Sequence, residues 1–167
     1  MRLIVHDLAE QEYNTWLGGF SRDTDEVIGD TEAIRHCVGC FGCWVRTPGT
    51  CVLKDDYKHM GERLAACEEF IFISRNVYGG YSPFVSNVLN RTLPYVLPYF
   101  MTRNGETHHQ QRYERQIRFT VHFYGEGMTE PERETAQSLV RANALNLDAA
   151  AYSVSFHDTL NSLKEVQ

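Results

Sequence analysis

The stretch Glu69-Phe-Ile-Phe-Ile-Ser74 constrains this chain most. An unbroken apolar run of strand length reads as a β-strand buried on both faces, because successive side chains of a strand point to opposite sides of the sheet. Such a strand needs cover above and below, and the surrounding sequence supplies helices to provide it. Leu3 to His6 is a short apolar run, followed by a helical stretch from Leu8 to Leu17. Val27 and Ile28 sit between the turn formers Asp25, Gly29 and Asp30 and read as a second strand. Behind Asp55 and Asp56, acids suited to a helix N-terminus, Tyr57, Met60, Leu64 and Cys67 recur at helical spacing. After the central strand and a loop from Arg75 to Ser82, Pro83 opens a helix carrying Phe84, Val85, Val88 and Leu89. Ile117 to Tyr124 reads as a fourth strand, and Thr129-Glu-Pro-Glu132 has capping-box spacing ahead of Ala136, Leu139, Val140 and Asn143. Ala151 to Phe156 is the last strand, before a short helical tail. Five strands alternating with helices predict one α/β domain over residues 1–167, with a parallel sheet covered on both faces.

One segment breaks the rhythm. Leu93 to Glu114 contains two prolines, a Thr-Arg-Asn-Gly turn and the pair His108-His109, and an excursion of that length serves a site or an interface more often than not. Its run Tyr95-Val-Leu-Pro-Tyr-Phe100 is too apolar for a freely solvated loop, so a homo-oligomer in which a symmetric partner covers it is expected. The net charge of −6 argues against nucleic-acid binding, and Arg112, Arg115 and Arg118 read as a solvated edge. No apolar run approaches the length of a membrane span, and the opening Met-Arg-Leu-Ile-Val lacks the features of a secretory signal. A cytoplasmic protein is the expectation.

In a reducing compartment the five cysteines are not expected to form a disulfide framework, and four of them crowd together. His36-Cys37-Val-Gly-Cys40-Phe-Gly-Cys43-Trp44, closing at Cys51, follows the pattern C-x2-C-x2-C-x7-C. Two-residue spacings let thiolates converge on one centre, so Cys37, Cys40, Cys43 and Cys51 are candidate ligands of a 4Fe–4S iron–sulfur cluster or of zinc. The competing reading is a tight loop in which these thiols pack as small hydrophobes, and Cys67 in its helical stripe reads as core.

The run from Cys37 to Trp44, followed by Pro48-Gly49, Cys51 and Lys54-Asp55-Asp56, resembles the segment after the second strand in flavodoxin-like NAD(P)H-dependent FMN reductases and iron–sulfur flavoproteins. A second match follows in Ile73-Ser-Arg-Asn76-Val-Tyr-Gly-Gly-Tyr-Ser82 and the helix ending Val88-Leu-Asn-Arg91, which is similar to that family's third strand, flavin-contacting loop and next helix. The resemblance spans roughly residues 36 to 92. It implies a flavodoxin-like three-layer sandwich with strand order 2-1-3-4-5, a bound FMN, and NAD(P)H as co-substrate. It also implies a flavin site on Asn76, Val77, Tyr78, Gly79, Gly80, Tyr81 and Ser82, bordered by Phe41 and Trp44 of the cysteine loop. In some relatives a comparable run of four cysteines holds a 4Fe–4S cluster.

The first turn departs from the family. Relatives follow strand one with a Gly-Ser-Pro loop that donates hydrogen bonds to the FMN phosphate, whereas here Val5 is followed by His6-Asp7-Leu8-Ala-Glu10-Gln-Glu12. Carboxylates repel a phosphate, so FMN is expected to be held weakly near Asp7 to Thr15. Three functions stay open at this point. One is a flavin-dependent oxidoreductase passing electrons from NAD(P)H to a small-molecule acceptor. The second is a binding or assembly domain of the same fold that has lost FMN, and the third is a cysteine-based metal protein without flavin. His36, His108 and His109 are candidate proton donors or ligands to which no catalytic role is assigned.

Overall fold

The computed structural model describes residues 1–30, 34–103 and 105–166, the last three without their side chains. Its elements in chain order are β1 (Arg2–His6), α1 (Glu10–Leu17), β2 (Glu26–Gly29), α2 (Gly42–Val45), α3 (Met60–Ala66), β3 (Glu69–Arg75), α4 (Pro83–Arg91), a 3-10 turn (Leu93–Tyr95), β4 (Val96–Arg103), β5 (Glu106–Gln111), β6 (Arg118–Tyr124), α5 (Glu130–Asn146), β7 (Ala151–His157) and a terminal 3-10 segment (Leu160–Val166).

Five strands form one parallel sheet in the order β2-β1-β3-β6-β7. Counted along the sheet's own strands this is the expected 2-1-3-4-5, but the numbering differs because two further strands intervene. The segment from Leu93 to Glu114 is an antiparallel hairpin, β4 against β5, with a register shift between Val96 and Phe100. Asn104, at the turn read from the sequence, lies outside the described residues.

The central strand behaves as its composition requires. Phe70 and Phe72 pack on one face with Leu3, Val5, Phe119 and Val121 under α3, α4 and α5, while Ile71 and Ile73 pack on the other with Ile4, Leu8, Leu17 and Leu163 under α1 and the terminal segment. All four are essentially excluded from water. Helix starts follow local chemistry. The Ser82 hydroxyl accepts from the Val85 amide ahead of Pro83, and Glu132 accepts from both the amide and the hydroxyl of Thr129 at 2.8 Å.

Asp55 and Asp56 do not start a helix. The helix begins later, at Met60, and Asp55 instead forms a two-pronged ion pair with Arg91 at the end of α4, both contacts at 2.7 Å. Arg91 also donates to the Arg35 carbonyl at 2.8 Å. A buried guanidinium needs a carboxylate, and that requirement outweighs the modest gain of an acid near a helix dipole. The contact ties both ends of the cysteine loop to α4.

Candidate functional site

An open parallel sheet binds ligands beyond the carboxyl ends of its strands, where the strand order reverses. Here that edge is built from the residues after β1, β3 and β6. Asp7 follows β1, and its carboxylate accepts from the Arg75 amide and from the Tyr124 hydroxyl, both at 2.9 Å. One side chain therefore clamps three strands together at the point where a ligand would sit. Burial, reinforced by the adjacent Asp7 carboxylate, pushes the Tyr124 phenol above its ordinary range, so it stays a hydrogen-bond donor to Asp7. One residue earlier His6 stacks on Tyr13 at 4.2 Å, and burial lowers its pKa despite Asp7 nearby.

The start of α1 is likewise occupied. Its N-cap residue is Ala9, whose amide donates to the Glu12 carboxylate at 3.0 Å, and Glu10 shares the first turn. Helix N-termini attract anions because their amides lack partners. Here an internal carboxylate takes that place.

The loop Asn76–Ser82 is similarly self-satisfied. Asn76 donates its amide to the Tyr124 carbonyl, Val77 and Gly80 bond each other reciprocally, Gly79 donates to the Asn76 side chain, and Ser82 donates to the Ser74 hydroxyl. Gly79 is required where it is. Its φ is +81°, and a Cβ there would lie 2.7 Å from Thr135 of α5. The two tyrosines diverge. Tyr81 is buried, stacks on Phe123, and its hydroxyl accepts from Asn143 at 3.1 Å, making it a core residue. Tyr78 is 88% exposed and holds a left-handed φ of +52°, a conformation uncommon for a bulky side chain. Beside this loop lies an open depression lined by Trp16, Arg75, Asn76, Tyr124, Asp158 and Asn161 among others.

The contacts of Phe41 and Trp44 run toward the hairpin. Trp44 donates its indole N–H to the Val96 carbonyl at 2.9 Å, stacks on Phe41 and leans on His109 of the hairpin. The hairpin, unforeseen in the sequence, holds Trp44 through the Val96 carbonyl and the His109 ring.

The four loop cysteines are free thiols of unequal exposure: Cys40 is open to solvent, Cys37 and Cys51 are half-buried, and Cys43 is buried. Burial, then the proximity of Cys51, pushes the Cys43 thiol up to about 11. Among the described residues no group of three or more His, Cys, Asp or Glu side chains is placed to hold a metal ion. The expectation of a 4Fe–4S cluster or zinc on Cys37, Cys40, Cys43 and Cys51 thus finds no support in the placement of the described side chains. Cys67 is core, as its helical stripe implies.

FMN fares little better. A phosphate at the first turn would meet Asp7, Glu10 and Glu12, and five amides of the Asn76–Ser82 loop are already bonded within the protein. Taken together, these residues do not fit FMN as a resident cofactor.

No family model matches the sequence, and no curated protein matches it. Solved structures do resemble the fold. An NAD(P)H:quinone oxidoreductase from Methanothermobacter marburgensis superposes with a TM-score of 0.58 at 13% identity, covering 99% of this chain and 92% of that one. General stress protein 14 from Treponema denticola, in complex with FMN, gives 0.57 at 11% identity over 99% and 90% of the two chains. An FMN-dependent NADH-azoreductase from Bacillus anthracis, also in complex with FMN, gives 0.56 at 6% identity over 99% and 92%. At such identities the likeness establishes the flavodoxin-like fold and leaves chemistry to the residues. Among the described residues no helix is long and apolar enough to cross a membrane.

Proposed function

We propose that this chain is a small-molecule-binding domain of flavodoxin-like fold that holds no resident FMN, its nucleotide edge being closed by its own carboxylates. The observation that carries this reading is the Asp7 carboxylate bonded to the Arg75 amide and the Tyr124 hydroxyl. An anion entering there must displace an anion already bound, and the incoming phosphate also meets Glu10 and Glu12. Titration with FMN, followed by flavin fluorescence, tests it. The unmodified protein should leave FMN fluorescence unchanged into the high-micromolar range, and Asp7→Ser combined with Glu12→Ser should gain affinity. A yellow protein purified with stoichiometric FMN overturns the proposal.

A second reading is favoured by one observation, the exposed Tyr78 held at positive φ beside Arg75 and the adjacent depression. Strained residues at a sheet's carboxyl edge mark function more often than chance. In this reading the chain is an NAD(P)H-dependent oxidoreductase that takes an exchangeable flavin as its small-molecule acceptor: the nicotinamide ring gives up a hydride and the flavin ring accepts it, with a proton from water. Riboflavin-dependent oxidation of NADH or NADPH that Tyr78→Ala abolishes would establish it. Absence of any such activity leaves the binding domain.

The expected homo-oligomer belongs to either reading. Tyr99, Phe100 and Met101 of β4 are exposed on the hairpin, and a second copy of the chain would cover them.

A further inference from the structure

The parallel sheet ends on β2 at one side and on β7 at the other, and these two outer strands are finished differently. β2 is four residues long and carries Glu26, which pairs with Arg63 at 3.2 Å. β7 runs for seven residues, Ala151-Tyr-Ser-Val-Ser-Phe-His157, without a charged side chain or a proline. Short length, charge and proline keep a bare strand edge from pairing with another chain, and β7 uses none of them. Among the described residues its one strand neighbour is β6. The terminal segment turns away from it to the α1 face, where Leu160 and Leu163 pack with Leu8 and Leu17. Ala151, Tyr152 and Ser153 are exposed, while Val154, Ser155 and Phe156 are half-buried.

The ladder fixes which backbone groups of β7 are free. The Ala150 amide donates to the Ile117 carbonyl just ahead of β6. Because the backbone groups of successive strand residues point to alternate neighbours, Tyr152, Val154 and Phe156 also address β6, and Ala151, Ser153 and Ser155 direct their amides and carbonyls outward. The side chains divide by face. Val154 and Phe156 pack against the core under α5, and Tyr152 lines a shallow depression with Gln137, Ser138 and Arg141 of that helix. On the opposite face the Ser153 hydroxyl donates to the Thr120 hydroxyl at 3.3 Å.

The strand reads nearly alike in both directions about Val154, with Tyr152 mirrored by Phe156 and Ser153 by Ser155. We infer that the outer edge of β7 docks β7 of a second copy of this chain, antiparallel and related by a two-fold axis at Val154. In that register Ser153 of each copy faces Ser155 of the other, and each of these two pairs exchanges two N–H···O bonds between outward groups. Val154 faces itself, and Tyr152 faces Phe156, at the positions between those bonds, where side chains approach most closely and aromatic pairs stabilise a sheet. Moving the axis to Ser153 or to Ser155 would oppose one ring to Val154 and leave the other without an aromatic partner. A foreign strand has no reason to match this mirror pattern, whereas a second copy matches it by symmetry. The surface is separate from the hairpin and from the carboxyl edge. Used together with the hairpin contact, it makes a tetramer that substitutions on the hairpin reduce to a dimer.

The test starts from the full chain carrying Tyr99→Lys with Phe100→Lys, which removes the apolar hairpin surface so that the remaining association reports on β7. By light scattering this variant should have twice the mass of one chain, and adding Ser155→Pro should halve it. The proline deletes an outward amide and leaves the bonds to β6 in place, whereas Ser155→Ala should stay dimeric. Val154→Cys, treated with oxidised glutathione, should yield a disulfide joining two copies at position 154, because directly opposed residues there lie within disulfide reach. Peptide mass spectrometry identifies the link. A hairpin variant that is monomeric at its highest soluble concentration overturns the inference, as does a dimer that Ser155→Pro leaves intact, or a dimer with no link at position 154. An edge that takes a foreign strand instead of a second copy gives the first of these results. Should Ser155→Pro fail to fold, as judged by circular dichroism, the link at position 154 decides.

Discussion

Replacing Asp55 by Ala removes one half of a buried ion pair and leaves the other half stranded. The Arg91 side chain is 0% exposed and that of Asp55 8%, so neither charge can turn to water for compensation. Two short bonds join them, and the same carboxylate also accepts from the Arg35 and Tyr57 amides at 3.0 and 3.1 Å. An orphaned buried charge destabilises a fold by about 3–5 kcal/mol. For a domain of this size that corresponds to a fall in Tm of roughly 6–20 °C. Arg91→Met should be milder, about 1–3 kcal/mol, because the remaining carboxylate keeps its two backbone donors. The double variant should be no worse than Asp55→Ala alone, since the stranded cation is gone. Urea unfolding followed by circular dichroism gives all three values. A loss below about 1 kcal/mol for Asp55→Ala, or strictly additive single effects, would refute the claim that the pair is an energetic unit. The pair also fixes a pH dependence. The Arg91 guanidinium, with the Arg35 and Tyr57 amides, holds the Asp55 carboxyl below its ordinary 3.8. Its contribution is therefore complete above that value and is lost as pH falls through the lower folded value.

Three further outcomes follow from the packing of buried groups and of the hairpin. Burial, then neighbouring His157, brings His122 down from 6.5 to about 4, so stability should be full above pH 6.5 and decline toward pH 4 by about 3 kcal/mol, a slope that His122→Phe should flatten in pH-dependent urea melts. A disulfide reagent should titrate Cys40 rapidly in the native protein, whereas Cys43 and Cys67, pushed by burial to about 11 and about 12, should react only on unfolding; rapid modification of all five thiols would contradict the packing. Light scattering should show an oligomer that Tyr99→Lys with Phe100→Lys dissociates, and a monomeric unmodified protein would remove the homo-oligomer proposal.

The sheet is legible in the sequence because its determinants are local. The run from Phe70 to Ile73 is apolar at every position, so it demands cover on both faces, and parallel strands with helices between them can be wound in few ways. The capping box at Thr129 and Glu132 is a contact across three residues, visible as spacing. The Leu93 to Glu114 hairpin was not legible, because its pairing partners lie on a segment with no alternating pattern and its stability comes from docking onto Trp44, Asn146 and the end of α5.

The sites divide along the same line. Sequence alone determined which residues reach the carboxyl edge of the sheet, and that the first turn carries acids where a phosphate loop would carry donors. Spacing could not decide where side chains point. Tyr78 and Tyr81 lie three residues apart, yet one faces water and the other stacks on Phe123. The cysteines sit at ligand spacing, yet the loop that carries them is tied to Arg91, Asn87 and Val96 and leaves them unequally exposed. That Asp7 would take the Arg75 amide and the Tyr124 hydroxyl was likewise set by tertiary structure, since those partners are 68 and 117 residues away along the chain. Backbone propensity and hydrophobic period act over a few residues and are written in the sequence. The pairing of buried polar groups is settled only when distant segments compete for the same donors in the assembled fold.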